Sequence, residues 1–343
     1  MTRFLTIAAG ALLAFAPEAL LARNILISND DGLTSNVVAL HAALSEAGHD
    51  VVVSVPCTNQ SGMGAALHIG RPLTPLTEPC LNGAARPGDP GAGAMTREGL
   101  APGDFHYVDG TPVMALMHGI DVVAQQRWGG PPDLVLSGPN EGQNVGAIVL
   151  SSGTVSVAQY AAVRGLPAIA LSAGPNTEGE GLSNPLSQGV AAATVDLVAA
   201  LEESAGEDGA GEDGAGEEER LLPRGLALNV NFPDRIDGAE WRITRVGSYN
   251  AYLVGFTQNM AESASDTMKA MAKARGMDVP PLPGISFDFN TRPPRDDEQR
   301  DESVVYRSAI AVSPMQAGYE YGSGPRVDMA ELLSGLVDDE GGE

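Results

Sequence analysis

Short apolar, β-branched runs alternate along this chain with longer stretches whose apolar residues recur at helical spacing. Residues 23–28 read as a strand, 37–47 as an amphipathic helix closed by Gly48, and 50–55 as a second strand ended by Pro56. The alternation continues with a strand at 106–108, a helix over about 111–128, a strand at 133–137, a helix at 154–164, a strand at 167–172 and a long apolar helix at 185–201. Residues 225–232 and 241–246 read as further strands. Polar and apolar positions alternate over 303–312, which suits an antiparallel strand or arm, while 249–300 shows neither period clearly. Strands separated by helices predict an α/β fold: a Rossmann-like, doubly wound, mostly parallel sheet with its site at the strand C-terminal ends, followed by a C-terminal hairpin or arm.

Three stretches fall outside this alternation. Residues 80–102 are rich in Gly, Pro and Ala and read as a surface insertion. Residues 206–218 repeat Gly, Glu, Asp, Gly and Ala; without apolar residues they bury too little surface to offset the entropy of ordering, so a disordered acidic loop is expected over 203–220. At the start, Arg3 precedes an apolar stretch at 4–16 and then Pro17, the pattern of an export signal and too short for a comfortable membrane span. Cleavage near Ala22 would place the protein in the periplasm or outside the cell, although Leu20 and Ala22 are not a small-residue pair. Ala14 and Ala16 fit that pair better but leave Pro17 first. The other reading is a cytoplasmic protein with an uncleaved N-terminal helix. No other segment is built to cross a bilayer. The organisation expected is a signal peptide at 1–22, a catalytic core at 23–202, the acidic loop, the rest of the core with an oligomerisation arm at 221–315, and a tail at 316–343.

At 343 residues and 43% hydrophobic composition the chain supports a sizeable core. The net charge of −24 is concentrated: nine acids lie within 202–219 and four within 338–343, and without those 13 the balance is about −11. Either figure argues against a nucleic-acid surface, which needs a basic patch, and leaves room for a small phosphorylated ligand. Two cysteines, Cys57 and Cys80, permit one disulfide if the protein is exported. It would close a loop around Ser61 and stabilise the fold by about 3 kcal/mol in the chain-entropy model. In a reducing compartment they would be two free thiols.

Four polar strings sit where strands or loops end. The first, Ser28, Asn29, Asp30, Asp31, Gly32, delivers two adjacent carboxylates behind a buried strand. Such a pair suits a hard divalent cation that also keeps places for water and a phosphate oxygen, although an acidic turn has the same composition. Asn59, Gln60, Ser61, Gly62 follows the second strand and reads equally well as a polar turn. Residues 137–144 place amide side chains and glycines where a sheet edge opens into a crevice. Ser152, Gly153, Thr154 opens a small-residue helix, either as a phosphate cradle of amides and hydroxyls or as an ordinary N-cap.

Together these strings resemble the SurE family of metal-dependent nucleoside monophosphate phosphatases. The likeness rests on SNDDG at 28–32, NQSG at 59–62, DGTP at 109–112, SGPNEGQNVG at 137–146, SSGTV at 151–155 and LNVNFP at 228–233, in the family's order across most of 23–315. The resemblance implies a Rossmann-like sheet, an arm that makes a homodimer or homotetramer, and hydrolysis of nucleoside 5′- or 3′-monophosphates. It also implies one divalent ion per subunit, Mg²⁺ or Mn²⁺. By position, Asp30 and Asp31 resemble the family's acidic metal ligands, Ser61 its hydroxyl ligand and Asn140 its amide ligand. Asn144, Ser152, Gly153 and Thr154 resemble its phosphate contacts. The reaction implied is attack on phosphorus by a metal-activated water, with Asp30 or Asp31 helping to accept its proton.

Cys57, Thr58 and Pro139 depart from the family pattern, as do the insertion, the acidic repeat and the export signal. The five histidines, His41, His49, His68, His106 and His118, lack metal-ligand spacing and read as structural or exposed, which disfavours zinc. Two other functions fit the strings: a phosphotransfer enzyme with an aspartyl nucleophile, and an exported protein that binds nucleotides or phosphate without turnover.

Overall fold

The computed structural model describes residues 22–178, 181–207, 220–274 and 276–319. Residues 1–21 of the expected signal peptide, 208–219 of the acidic loop and 320–343 of the tail lie outside the described residues. The elements run β1 (Asn24–Ser28), α1 (Ser35–Glu46), β2 (Asp50–Pro56), β3 (Ala92–Ala94), β4 (Phe105–Val108), α2 (Pro112–His118), α3 (Ala124–Trp128) and β5 (Leu134–Glu141). They continue α4 (Gly153–Val163), β6 (Ala168–Ala173), α5 (Pro185–Glu207), β7 (Leu226–Asn231), β8 (Trp241–Ile243), β9 (Tyr252–Thr257), α6 (Met260–Ser263), α7 (Asp266–Ala274), β10 (Gly284–Phe289), α8 (Glu302–Val305) and β11 (Ile310–Gln316).

One sheet carries the order β3-β4-β2-β1-β5-β6-β7-β11-β8. From β4 to β7 neighbouring strands are parallel, whereas β3 is antiparallel to β4 and β11 antiparallel to β7. Period-two alternation divides each central strand between two cores. Ile25, Ile27, Val51, Val53, Leu134 and Leu136 face α1 and α5, where Val37, Leu40, Leu44, Val190 and Val198 meet them. Leu26, Val52 and Val135 face α2 and α4, against Val113, Leu116, Val155 and Ala158. Chain direction across the sheet reverses at β1, with β2 on one side and β5 on the other. In an open α/β sheet, ligands enter at that point.

The helices start where hydroxyl caps are available. Thr34, Thr111 and Ser152 each accept a hydrogen bond from the backbone amide three residues on, satisfying a donor that has no partner inside the helix. The helix expected over 111–128 is present but contains a π-turn, Gly119–Val123, between α2 and α3. The segment 80–102 is less superficial than its composition suggests: Cys80, Ala84 and Ala85 are buried, and β3 extends the sheet edge. The last strand is also displaced. Residues 302–305 form α8, and the antiparallel pairing with β7 begins at Ala311. Asp301 accepts hydrogen bonds from the amides of Ser248 and Tyr249, and its backbone carbonyl accepts from Val304 and Val305, which turns this alternating segment into a helix.

The unreadable stretch 249–300 holds a separate antiparallel hairpin, β9 with β10, in register from Tyr252↔Phe289 to Thr257↔Gly284. Its apolar side chains face outward: Phe256 is 70% exposed, Ile285 57%, and Leu253 and Val254 52% each.

Candidate functional site

The acidic pair stands at the switch point of the sheet. β1 ends at Ser28, and the Asn29 side chain closes the following turn, donating to the Gly32 carbonyl at 2.7 Å and accepting from the Gly32 amide at 3.0 Å. That Asx closure presents Asp30 and Asp31 at the sheet edge, each only 3% exposed. Asp30 accepts from the Thr154 hydroxyl at 2.5 Å. Asp31 accepts from the Asn59 side-chain amide on one oxygen and from the Glu141 backbone amide on the other, both at 2.9 Å.

Burial raises the pKa of both groups, because an ionised carboxylate loses hydration there without gaining a cation. For Asp30 the upward effect of desolvation is opposed by the Thr154 hydroxyl and by the backbone amides of Gly153 and Thr154. For Asp31 desolvation leads again, the charge of Asp30 adds to it, and Glu141 and Glu178 push in the same direction, so it lies well above the usual carboxylate range. Neither aspartate has a Lys or Arg partner among the described residues.

Thr154 also contacts the side-chain oxygen of Asn140 at 3.1 Å, and the Asn140 amide group is fixed the other way by donating to the Gly142 carbonyl at 2.6 Å. Three oxygens, from Asp30, Asn140 and Thr154, therefore share the single hydroxyl proton. Such a cluster is short of positive charge and fits a hard cation. No group of three His, Cys, Asp or Glu side chains among the described residues could hold an ion alone. A cation at this edge would take the aspartates together with neutral oxygens or water, and the Asn140 side-chain oxygen lies beside Thr154 there. Ser61 belongs to the same place: it lines an open cavity of about 350 Å³ with Asp31, Asn59, Glu141 and Glu178.

The structure thus gathers Asp30, Asp31, Ser61, Asn140, Gly153 and Thr154 at one edge. Asn144 is held one step aside, its amide donating to the Ser172 hydroxyl at 3.0 Å. The Ser152 hydroxyl accepts from the Val155 amide at 3.1 Å, which is N-cap geometry. Sequence reasoning missed Asn59, Glu141 and Glu178. The first two lay inside the quoted strings; Glu178 follows a short turn after β6, and only the convergence of strand ends signals it. Glu141 is pushed up to about 7, first by burial and then by the nearby Glu178 charge.

The loop bearing Asn59 and Ser61 leaves β2 at Cys57, which is joined to Cys80 in a disulfide. The Gln60 amide donates to the Asp30 carbonyl at 2.7 Å, tying that loop to the aspartates. The double variant Cys57→Ala, Cys80→Ala is expected to lose about 3 kcal/mol of unfolding free energy, from a closed loop of this length. Equilibrium denaturation with and without dithiothreitol checks this: reductant should lower the parent's midpoint and leave the variant's unchanged.

A family model described as "Survival protein SurE" matches residues 25–252. The "5'-nucleotidase SurE" of Thermosipho africanus is 33% identical over 226 residues, 65% of this chain and 70% of that protein. The "5'/3'-nucleotidase SurE" of Edwardsiella ictaluri is 31% identical over 322 residues, 92% of this chain and 98% of that one. The crystal structure of the SurE protein from Aquifex aeolicus superposes with a TM-score of 0.58 at 24% identity, covering 91% of this chain and 97% of that one, a likeness of fold.

Proposed function

This chain belongs to the SurE family, and from that membership we propose that it is a metal-dependent phosphomonoesterase that hydrolyses nucleoside 5′- or 3′-monophosphates to nucleoside and phosphate. The observation that carries the reading is the pair of buried strand-end aspartates without a basic partner among the described residues, with Asn140, Ser61 and Thr154 as further oxygens around them. Asp30, Asp31, Ser61 and Asn140 would hold one divalent ion, Mg²⁺ or Mn²⁺. When bound, that ion supplies neutralising charge for the phosphate and a lowered pKa for a nearby water.

The chain's own residues do the rest. Thr154 fixes the Asp30 carboxylate, while Asn59 and the Glu141 amide fix Asp31, so neither carboxylate must reorganise as charge develops. Both carboxylates stand at the edge where an attacking water would sit, so either is placed to receive its proton. The start of α4 presents backbone amides at the same edge, where a helix terminus favours negative charge.

The deciding experiment is phosphate release from a panel of nucleoside monophosphates with and without Mn²⁺ or Mg²⁺. Metal-dependent release is expected, with no labelled phosphate left on denatured protein. Retained label would favour an aspartyl nucleophile, and no release by folded, metal-loaded protein would favour a binding protein. Because both aspartates are raised, metal uptake should also expel protons. Calorimetric titration with Mn²⁺ near pH 6 in buffers of different ionisation enthalpy is expected to give buffer-dependent heats; identical heats would contradict it.

Two features extend the proposal. The outward apolar side chains of the β9–β10 hairpin support a homodimer or homotetramer that covers them, since Phe256, Ile285, Leu253 and Val254 form an exposed apolar patch. The leader pattern at 1–22 and the paired cysteines support export to an oxidising compartment.

A further inference from the structure

Glu302 is fully buried on α8, away from the acidic pair, and no Lys or Arg among the described residues pairs with it. Its neighbour Asp301 is also fully buried but is paired with Arg245 at 2.6 Å. A buried carboxylate without a cation is expensive and needs donors. Glu302 finds them in two places that matter to the site. One oxygen accepts from the Gly146 backbone amide at 3.1 Å, and the other from the Asn229 side-chain amide at 2.9 Å.

The same Asn229 amide donates to the Asn144 carbonyl at 2.9 Å, joined there by Asn231 at 3.1 Å, while the Asn231 side-chain oxygen accepts from the Asn144 amide at 2.9 Å. Side chains from β7 and α8 thus hold both backbone groups of Asn144 and the amide of Gly146. Gly146 is in the left-handed region at φ +62°, and a Cβ there would lie 2.8 Å from the Ser303 hydroxyl and 2.9 Å from the Asn250 side-chain oxygen. The loop has little room to relax.

The orientation of Asn229 follows from its partners. Both the Asn144 carbonyl and ionised Glu302 are acceptors, so the amide must face them, which leaves the Asn229 side-chain oxygen buried without a partner among the described residues. A proton on Glu302 changes that balance. Rotation of Asn229 would let its oxygen accept from the new O–H and would withdraw its amide from Asn144. A proton on Glu302 therefore weakens the hold that Asn229 has on Asn144.

We propose that Glu302 is a positioning residue whose ionised carboxylate, acting through Asn229 and Gly146, holds the 144–146 loop so that Asn144 and the start of α4 can receive the phosphate. The proposal rests on the phosphomonoesterase reading above for the identity of the ligand. The groups facing Glu302 are the Gly146 amide, Asn229 of β7, Ser313 of β11 with Thr244 behind it at 2.8 Å, and the like charge of Asp301. Burial outweighs the hydrogen bonds and pushes Glu302 up to about 7, so the proton arrives within an accessible range.

The resonance test uses the full, metal-free chain labelled with ¹⁵N, and the kinetic test the same chain supplied with Mn²⁺ or Mg²⁺. The Gly146 amide resonance of the wild type is expected to titrate between pH 5.5 and 8.5 with a midpoint about 7, and to be flat in Glu302→Gln. In that variant an amide replaces one acceptor, so kcat/KM for a nucleoside monophosphate should fall on the order of 100-fold, mainly through a raised KM, as expected when a binding loop is misplaced. A flat wild-type Gly146 resonance, or a variant within twofold of wild-type kcat/KM, overturns the proposal. If the variant does not fold, the wild-type titration decides alone. A wild type that releases no phosphate, yet whose Gly146 resonance titrates and shifts on adding inorganic phosphate, would retain the clamp and refute hydrolysis.

Discussion

Asp31→Asn is expected to lower metal-dependent phosphate release about 10³-fold in kcat/KM without making the metal-free protein less stable. Asp31 has its acceptors committed to Asn59 and to the Glu141 amide. An asparagine presents an NH₂ group to one of those donors. If it faces Asn59, that side chain must rotate, and its oxygen then leaves the Ser61 amide it holds at 2.9 Å. Under the proposed metal site, the substitution removes a charged ligand and also loosens the loop that carries Ser61. Losing several kcal/mol of electrostatic stabilisation at the transition state corresponds to a fall in kcat/KM of about 10³-fold.

Stability should move the other way. Asp31 is raised by burial and by the charge of Asp30, so its folded-state pKa lies above the unfolded value. For such an acid the folded state holds the proton more tightly. Stability is therefore lost as pH rises from the unfolded toward the folded pKa, and above it the ionised pair is a standing penalty. A neutral side chain removes that penalty. Thermal melts at pH 8 should show the metal-free variant melting at or above the parent, while Mn²⁺ raises the parent's Tm and leaves the variant's unchanged. A variant that still gains stability from Mn²⁺ would show that Asp31 is not a ligand.

Much of this site was legible because the ends of parallel strands are short in sequence and rich in unusual polar types. SNDDG, NQSG and the 137–146 string each follow an apolar strand or its loop, so their position relative to the sheet edge came with the pattern. What escaped depends on tertiary contact. Glu178 has no local pattern and reaches the cavity only because β6 ends beside β5. Glu302 stands just before the segment 303–312, whose alternation mimics a strand, and the turn into α8 depends on contacts between Asp301 and residues 248 and 249. The hairpin in 249–300 was unreadable because its apolar residues point outward, which removes the in-and-out alternation that marks a strand packed on a core. Asn229 and Asn231 sat in plain view within LNVNFP, but a buried strand that spends two amides on another loop's backbone has no sequence signature of its own.

Gly153→Ala is expected to damage the site on the order of 100-fold in kcat/KM, although alanine is the better helix former. Gly153 is the first residue of α4, and its backbone is not in the left-handed region, so strain in φ is not at issue. Space is. A Cβ there would lie 2.6 Å from the Asp30 Cβ, 2.7 Å from the Pro112 Cγ and 2.9 Å from an Asp30 carboxylate oxygen. Pro112 opens α2 and Asp30 is fixed by its turn, so relief requires α4 to withdraw or Asp30 to rotate. Either movement breaks the Thr154 bond to Asp30 and the contact with Asn140. Overpacking of this kind costs about 1 to 3 kcal/mol of stability, more than the roughly 1 kcal/mol that alanine gains over glycine in a helix. Displacing a catalytic carboxylate by about an ångström lowers kcat/KM on the order of 100-fold. Gly130→Ala is the matched control, since nothing among the described residues lies within 4 Å of its Cβ position and its backbone is also outside the left-handed region. Thermal melts and phosphate-release assays on both variants check the expectation. Gly153→Ala with kcat/KM within about threefold of the parent would show that the approach of α4 to Asp30 is slack, and that the Thr154 bond does not fix the carboxylate.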